Sequence, residues 1–391
     1  MTMKHNWEYK TLGSACIPKK EILRASLKFG KEDTIEYIDI SSIHKDSGTV
    51  NPTTYTFMDA PSRAQQVVND NDVLVSLVRP NLKNIALIQD DKDNLVASSG
   101  FCVLRGKTLS QRYIYHLVNS KYFTNKLVIK CAGAAYPAVR EQDVKDTIVP
   151  VPPMEVQKQI VEELDKINEV IENCRELLCN LDALAQSLFY DTFGDPITNP
   201  KGWPVKTLGE VGNIERGSGI SKKDFVDNGV PCIHYGQLHT SFGPIAKTHI
   251  SCISDNLIIK PKIAHNGDLI MAITSEDVDG SCKSTAWLGD YDVIVGSDAA
   301  ILHHKQNGVF LSFYTMTKAF YYEKSKYAKG FKVTHISAKE IASIPIFVPS
   351  IQLQEEFAAQ VEAIEEQKKA LEATMAELQT LLDSRMDYWF N

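Results

Sequence analysis

The sequence predicts an α+β protein built as a pseudo-twofold tandem repeat. Two similar β-rich α/β globular domains are separated by two long antiparallel coiled-coil helices. Three features of the 391-residue chain carry this prediction. Two stretches show a seven-residue repeat of mainly apolar residues. Each of them follows a globular stretch of short β-type runs. The whole pattern recurs after about 196 residues, and a fixed period of this kind determines the architecture.

The first long helix is predicted over residues 155–191. Its inward positions are separated by alternating steps of four and three residues. This is the 3.5-residue repeat that keeps an apolar seam facing a partner helix. The seam residues are Ile160, Leu164, Ile167, Ile171, Cys174, Leu178, Leu181, Ala185 and Leu188. At 1.5 Å per residue, this helix spans about 55 Å.

A second helix with the same seam is predicted 197 positions later in the chain. Its seam residues are Phe357, Val361, Ile364, Lys368, Leu371, Met375, Leu378, Leu382 and Arg385. Lys368 and Arg385 interrupt the apolar pattern, so we expect weaker pairing at those positions. The second globular stretch begins where the first helix ends and stops where the second helix begins. Because the two ends of a compact domain usually lie close together, the two helices should be antiparallel.

Repeated strings support the duplication and give the domain boundaries. The run from Trp7 to Gly13, WEYKTLG, returns as WPVKTLG from Trp203 to Gly209. The predicted domains are 1–150, a first helical spacer 151–198, 199–347 and a second helical spacer 348–391. Strands are predicted at 36–40, 73–78, 85–88 and 101–104, and again at 232–235, 268–273, 293–295 and 300–302. One helix follows each set, at 111–127 and at 309–327.

The net charge of −7 is unevenly distributed along the chain. Residues 1–150 carry +4 and residues 199–347 carry +2, whereas the helical stretches 151–198 and 348–391 carry −7 and −6. Acidic charge fits the solvated faces of a coiled coil. The basic excess of the two globular stretches permits a surface that binds phosphate.

The sequence holds no motif for catalysis, such as a glycine-rich phosphate loop, H-E-x-x-H or G-x-S-x-G. His303 and His304 are adjacent on a predicted strand, so they should point to opposite faces and share no metal ion. No apolar run is long enough to span a membrane. Eight scattered cysteines without a C-x-x-C pair suggest reduced thiols. We therefore expect a cytoplasmic protein that is not itself an enzyme.

The remaining candidates are hydrogen-bond donors suited to DNA recognition. Arg and the amide side chains read base edges, and Lys neutralises phosphate. The candidate DNA-binding residues are Arg63, Gln65, Gln66, Arg79, Asn81 and Lys83 in the first globular stretch, and Lys222, Lys223, His234, Gln237 and Lys283 in the second. Each of them alone also fits an ordinary polar loop. Their occurrence in two duplicated domains on a spacer favours DNA.

Over its whole length the chain resembles the specificity subunits of type I restriction-modification systems. Besides the tandem architecture, the resemblance rests on SRA at 62–64, DVLVS at 72–76, RP at 79–80, GAAYPAV at 133–139, the motif from Pro152 to Asp165, and FGDP at 193–196. It implies two target-recognition domains that read a bipartite double-stranded DNA target and carry no active site. The implied partners are two methyltransferase subunits and two restriction/translocase subunits. S-adenosylmethionine, ATP and Mg are expected on those partners, with no cofactor on this chain.

Two other classes of function remain open. The first is a non-DNA adaptor or scaffold, with two interaction domains on a coiled-coil spacer. The second is a standalone methyltransferase, which would need a glycine-rich turn after a strand for its cofactor. Binding to duplex DNA, with and without a methyltransferase partner, distinguishes these classes. The second globular stretch lacks the Ser-Arg-Ala string, so we expect different half-site sequences.

Overall fold

The computed structural model describes residues 7–44, 48–131, 137–255, 257, 260–328 and 333–391. The chain divides into two compact units, one made of Met1–Glu176 with Leu371–Asn391 and the other of Leu177–Ala370. The first long helix is Met154–Phe193 and the second is Ile351–Phe390. The division therefore runs through both long helices, not through their ends. Each unit contains one globular head and one segment of each long helix.

The first head is residues 7–151. Its strands are Glu8–Thr11, Thr34–Ile38, Thr53–Thr56, Ala64–Val67, Val73–Ser76, Ile85–Leu87, Leu95–Ser98, Phe101–Leu104 and Ile148–Val151. Its α-helices are Leu12–Ala15, Ala25–Lys28, Gln111–Asn119, Lys121–Val128 and Glu141–Lys145. Four strands form one sheet and three form another, in which Val73–Ser76 lies between Ile85–Leu87 and Phe101–Leu104. The three-stranded sheet packs on the helices through buried residues such as Val75 and Tyr113.

The second head is residues 203–347. Its strands are Val205–Thr207, Gly212–Arg216, Phe225–Val226, Val230–Ile233, Ile245–Ala246, Ser251–Ile253, Ile263–Ala264, Leu269–Ala272, Thr274–Ser275, Ser284–Trp287, Val293–Val295, Ala299–His304, Thr334–His335 and Pro345–Phe347. Its α-helices are Leu208–Val211, Tyr235–Thr240, Gly308–Thr315, Lys318–Ser325 and Ala338–Ala342. Two five-stranded sheets form its frame. The strand Leu269–Ala272 takes the central place that Val73–Ser76 has in the first head.

The first and last strands of each head pair with each other. Glu8–Thr11 runs antiparallel to Ile148–Val151, and Val205–Thr207 runs antiparallel to Pro345–Phe347. The two ends of each head therefore lie side by side, as the antiparallel prediction requires.

Each predicted head helix is in fact two helices. The first breaks at Ser120 and the second at Thr317, and each hydroxyl accepts the backbone N–H of the residue three positions later. Such N-caps start a new helix in the middle of an apolar pattern. The predicted strand 232–235 also ends early, because His234 caps the helix Tyr235–Thr240.

The two long helices run in opposite directions within each unit. In the first unit, Glu163 accepts hydrogen bonds from Arg385 (3.0 Å) and from the indole of Trp389 (2.9 Å). In the second unit, Asp182 and Lys368 form an ion pair at 2.6 Å. There the ring of Phe193, eleven residues further along the first helix, lies 5.2 Å from the ring of Phe357. As the residue number increases along the first helix, the number of the contacting residue on the second helix decreases, so the two helices are antiparallel in this unit.

Every position of the two predicted seams is buried or half-buried, including the two charged ones. Lys368 contacts Asp182 on the other helix and Glu365 on its own helix. Burial alone lowers the pKa of Lys368, but these two carboxylates raise it overall, so the ammonium stays charged. Arg385 holds Glu163 across the seam and lowers the pKa of that carboxyl. The two polar positions thus carry ion pairs between the helices, in place of the weaker pairing we expected.

A buried glutamine at the start of the first long helix connects that helix to the first head. The amide oxygen of Gln157 accepts the backbone N–H of Ser110, where the head helix Gln111–Asn119 begins (2.8 Å). Its amide nitrogen donates to the carbonyls of Pro152 (2.9 Å) and Thr108 (3.2 Å). Both ends of the buried amide are therefore satisfied, as burial of a polar group requires.

The second unit repeats this contact at Gln354, which lies 197 positions after Gln157. Its amide oxygen accepts the N–H of Asn307 (2.9 Å), and its nitrogen donates to the carbonyl of Pro349 (2.9 Å) and to the side chain of Gln306 (2.9 Å). We call Gln157 and Gln354 the clamp glutamines. They join each head to the long helix that follows it.

Candidate nucleic-acid interface

The two segments that carry the first-head candidates lie on either side of a single turn. The Ser99 N–H donates to the carbonyl of Arg63 (2.8 Å), and the Leu77 N–H donates to the carbonyl of Gly100 (2.9 Å). The turn between Leu95–Ser98 and Phe101–Leu104 therefore lies between the Arg63 loop and the loop that contains Arg79. The fold brings these two arginines, which are 16 positions apart in sequence, to neighbouring loops. Both side chains are exposed.

The loop from Val78 to Asn84 has an unusual backbone. Arg79 and Lys83 adopt φ angles of 49° and 50°, and they flank the short 3-10 helix Pro80–Leu82. Left-handed φ values are uncommon for residues other than glycine and cost energy. The Arg79 N–H donates to the carbonyl of Pro137 at 2.7 Å, and this bond helps hold the conformation. Such strain is often found where a loop presents side chains to a ligand.

Several first-head candidates are already engaged within the head. The Gln66 amide donates to the carbonyls of Ser98 (2.9 Å) and Phe101 (3.0 Å), so its donors serve the fold. The Lys83 ammonium donates to the carbonyl of Asn119 at 2.8 Å, and burial lowers its pKa. Gln65 is exposed and donates to the carbonyl of Ser62 in its own turn (2.9 Å). Arg63, Arg79 and Asn81 present exposed side chains.

In the second head, His234 and Gln237 form a helix cap. The Gly236 N–H donates to His234 Nδ1 (3.1 Å), and the His234 N–H donates to the Gln237 amide oxygen (2.9 Å). The Gln237 amide nitrogen donates to the hydroxyl of Ser251 (2.7 Å). Burial and then the charge of Lys222 lower the pKa of His234. His234 is therefore neutral at pH 7, and its hydrogen is on Nε2.

The three candidate lysines of the second head lie in different surroundings. Lys222 and Lys223 are exposed on the 3-10 helix Lys222–Asp224, and the Lys222 side chain lies next to Gly236. The fold thus joins Lys222 to the His234 cap. Lys283 is exposed but donates to the carbonyl of His239 at 2.9 Å. Lys222 and Lys223 are therefore the cations best placed to meet a phosphate.

The first head has one further exposed cation, close to the Arg63 loop, that was not predicted from the sequence. Arg24 forms an isolated backbone bridge with Gln66, which places it next to the strand Ala64–Val67 and close to the Arg63 loop. No motif marks Arg24 in the sequence, because the contact joins residues 42 positions apart. Within the described residues, no carboxylate lies at ion-pair distance from Arg24 or Arg63.

An aspartate at the same place in each head supports the central strand. In the first head, Arg105 holds the buried Asp72 through two hydrogen bonds, at 2.7 and 2.6 Å. In the second head, His303 takes the place of Arg105 and contacts Asp268 (2.8 Å) and Glu215 (3.2 Å). The neighbouring His304 instead bonds the carbonyl of Gln306 (3.0 Å). His303 and His304 have separate partners, as their alternation along the strand predicts.

The side chains of the described residues form no group of three or more His, Cys, Asp or Glu that could hold a metal ion. All eight cysteines are free thiols, and burial raises the pKa of Cys16 and Cys282 to about 12. These thiols are therefore protonated at neutral pH. No helix within the described ranges is long and apolar enough to cross a membrane.

Comparison with known proteins gives consistent results. A family model described as "Type I restriction modification DNA specificity domain" matches residues 4–179 and again residues 200–380. The MjaVIII type I restriction enzyme specificity subunit of Methanocaldococcus jannaschii is 24% identical over 323 residues, which are 76% of this chain and 73% of that protein. The HindI specificity subunit of Haemophilus influenzae is 24% identical over 141 residues, 35% of this chain and 31% of that protein.

Two solved structures are similar over nearly the whole chain. One, from work on complex assembly and conformational transition of the type I R-M system, has a TM-score of 0.59 and 27% identity, and covers 99% of this chain and 98% of that one. The type I S subunit from M. genitalium has a TM-score of 0.53 and 16% sequence identity, and the match covers 100% of this chain and 98% of that one. At this identity, the similarity supports the fold alone. The family model spans both heads and most of both long helices. This chain therefore belongs to the type I restriction-modification DNA specificity family.

Proposed function

We propose that this chain reads a bipartite DNA target and directs adenine methylation and restriction by partner subunits of a type I complex. Its role is DNA target recognition. The observation that carries the bipartite proposal is the duplication itself. Each head is joined to its long helix by a clamp glutamine and presents exposed cations on loops beside the sheets. Two heads of different sequence on one framework favour two different half-sites separated by a fixed gap.

The partner subunits in this proposal dock on the outer faces of the long helices. In the second unit, Leu177 and Leu184 are seven residues apart and are 49% and 53% exposed. In the first unit, Leu381 and Tyr388 repeat this spacing and are 46% and 41% exposed. Leu371 is half-buried, in line with its seam position. Exposed apolar positions among acidic residues suit a protein partner and disfavour DNA.

The repeat suggests two copies of the methyltransferase subunit, one for each half of the chain. S-adenosylmethionine, ATP and Mg belong to the partner subunits in this proposal, and this chain supplies recognition without catalysis.

The rival adaptor function would use the same outer faces of the long helices but would need no cations on the head loops. Sequence-specific DNA binding therefore distinguishes the two.

The test is to co-express the chain with a type I methyltransferase subunit and to map methylated adenines by single-molecule sequencing. We expect two short half-sites with a fixed gap and one methylated adenine in each. Native mass spectrometry of the same preparation should show two methyltransferase copies per chain. A single continuous motif, methylation by this chain alone, or a 1:1 complex as the fully active species would contradict the proposal.

A further inference from the structure

The three-stranded sheet around Val73–Ser76 in the first head and the five-stranded sheet around Leu269–Ala272 in the second head are equivalent, but they differ at one edge. In the first head, Val73 pairs with Leu87, and the Ile88 N–H donates to the carbonyl of Asp72 (2.9 Å). In the second head, Leu269 pairs with Ala286, and the Trp287 N–H donates to the carbonyl of Asp268 (2.9 Å). The edge strand Ile85–Leu87 therefore corresponds to Ser284–Trp287. Leu87 takes the place of Ala286, and Gln89 takes the place of Leu288.

In the second head this edge is covered by a further strand. Ile245–Ala246 runs parallel to Ser284–Trp287. The Ala286 N–H donates to the carbonyl of Pro244 (2.9 Å), and the Leu288 N–H donates to the carbonyl of Ala246 (2.8 Å).

The residue after this strand contacts the long helix. The Lys247 ammonium lies 3.0 Å from a carboxylate oxygen of Glu362 and 3.7 Å from one of Glu366. The covering segment therefore joins the sheet edge to two acidic residues one helical turn apart. These residues correspond, 197 positions earlier, to Asp165 and Glu169 on the first long helix.

In the first head the same place is an open cleft of about 790 Å³. It is lined on the sheet side by Leu87 and Gln89, on the helix side by Asp165, Glu169 and Glu172, and also by residues 48–50 and Pro52 of the first head. Hydrogen-bonded and non-bonded pairs alternate in an antiparallel ladder, and the N–H of Ile88 is used within the sheet. The N–H of Leu87 therefore points away from the neighbouring strand, towards the cleft.

The acidic residues of this cleft differ in whether a basic side chain contacts them. Asp165 accepts hydrogen bonds from Arg112 (2.6 Å) and His116 (2.7 Å). Glu169 is exposed, and no cation within the described residues lies at ion-pair distance from it. The cleft thus keeps the two features that receive the covering segment in the second head, namely strand N–H groups and an available carboxylate.

We propose that this cleft binds an extended segment of a partner protein, which adds a parallel strand to Ile85–Leu87 and places a Lys or Arg on Glu169. Addition of a strand to a free sheet edge is a common mode of peptide binding. The second head shows the chemistry of such an occupant, an apolar pair followed by a basic residue. Repulsion by Glu169 and Glu172 excludes nucleic acid from the same place. The proposal depends on no DNA contact and can fail or succeed independently of the proposed function.

The probe for this site is a synthetic, end-capped, fluorescein-labelled peptide that copies residues 242–249, FGPIAKTH. Its binding to the full-length chain is measured by fluorescence anisotropy. We expect saturable binding that Glu169→Lys weakens about tenfold, because the reversed charge repels the peptide lysine instead of attracting it. A peptide with Lys247→Glu should bind the Glu169→Lys variant better than it binds the wild type. Glu176→Lys, an exposed change of equal charge outside the cleft, should leave binding unchanged.

Amide hydrogen exchange provides a second measurement. A parallel strand on this edge should protect the amides of Leu87 and Gln89, whereas the Ile88 amide, already bonded to Asp72, should not change. No saturation up to about 1 mM peptide, insensitivity to Glu169→Lys, or unchanged exchange at Leu87 would overturn the proposal. Lys45 lies outside the described residues, next in the chain to His44. Binding seen only with Lys45→Ala would assign the cleft to this chain's own lysine and would also overturn it.

Discussion

His234 is a candidate DNA-binding residue whose side chain also serves the fold. Its Nδ1 accepts the Gly236 N–H and caps the helix Tyr235–Thr240. This bond requires the neutral ring, whose Nε2–H is then a donor. Burial and the nearby Lys222 both favour that neutral form, because both lower the pKa of His234. The positive charge of Lys222 thus favours the neutral ring of His234, which accepts a hydrogen bond at Nδ1 and can donate one at Nε2.

The lowered pKa of His234 predicts a pH-dependent stability. Between the lowered pKa and the ordinary value of about 6.5, the unfolded chain binds more protons than the folded chain, so stability rises with pH in that window. We expect the free energy of unfolding to fall as the pH drops below about 6.5. His234→Asn, which can cap the helix without titrating, should reduce this slope in urea titrations. An NMR titration placing the pKa of His234 at or above its ordinary value would contradict the prediction.

Arg63 is the candidate whose role in base reading can be tested most directly. If it reads a base edge, Arg63→Ala should cost about 1–3 kcal/mol of binding and relax one position of one half-site. If it contacts a phosphate, all sequences should bind more weakly and the salt dependence should flatten. The measurement is a salt series of binding to the target and to single-base variants. Lys92→Ala, which removes a surface ion pair with Asp90, is the control. Wild-type binding of Arg63→Ala across the whole salt series, on the target and on its single-base variants, would exclude both roles.

At the scale of elements, the features that could be predicted from the sequence are those that follow a local, periodic pattern of residues. The heptad seam identified both long helices to within a few residues of their ends, because an apolar face repeats every few positions. The breaks at Ser120 and Thr317 were missed, since a cap inside an apolar pattern leaves the period almost unchanged. For the candidate DNA residues, the residue type and the loop could be predicted from the sequence, but not which side chains already form hydrogen bonds within a head. Gln66 and Lys83 bond carbonyls 32 to 36 positions away, and such contacts have no local signature.

The clamp glutamines make a prediction at this scale. Gln157→Leu removes the partners of the Ser110 N–H and the Pro152 carbonyl, and each buried group left unpaired costs about 1–3 kcal/mol. Gln354→Leu should have a similar effect through Asn307 and Pro349. The measurement is the free energy of unfolding in urea, with amide exchange at Ser110 and Asn307 as a local readout. Gln352→Leu alters an exposed residue on the same helix as Gln354 and should change stability by no more than about 0.5 kcal/mol. Equal effects of all three variants would refute the clamp.

At the scale of the whole molecule, the proposed function links the length of the two long helices to the DNA target. Within each unit one charged pair joins the two helices, Glu163 with Arg385 in the first unit and Asp182 with Lys368 in the second. Removing one heptad from each helix therefore preserves the seam while shortening both by the same amount. Seven residues correspond to about 10 Å of helix, or about three base pairs of DNA at 3.4 Å each.

We predict that deleting residues 171–177 together with 373–379 shortens the gap between the half-sites or abolishes DNA binding. Deletion from only one helix should break the register and destabilise the chain, and it serves as the control. The measurement is the methylated motif of the co-expressed complex. A paired deletion that keeps both the activity and the original gap would show that helix length does not set the spacing.

The clamp glutamines recognise main-chain atoms, namely an N–H at the start of a head helix and a proline carbonyl. Ser110 provides the N–H in one head and Asn307 in the other, and the same amide bonds form with both. Apart from the Gln306 side chain that Gln354 also contacts, each clamp glutamine binds its head through a main-chain N–H, which any residue except proline supplies. A head with an unrelated reading surface can be mounted on the same helix, provided that its own helix begins at the same point. The framework thus allows heads to be exchanged while their attachment stays unchanged.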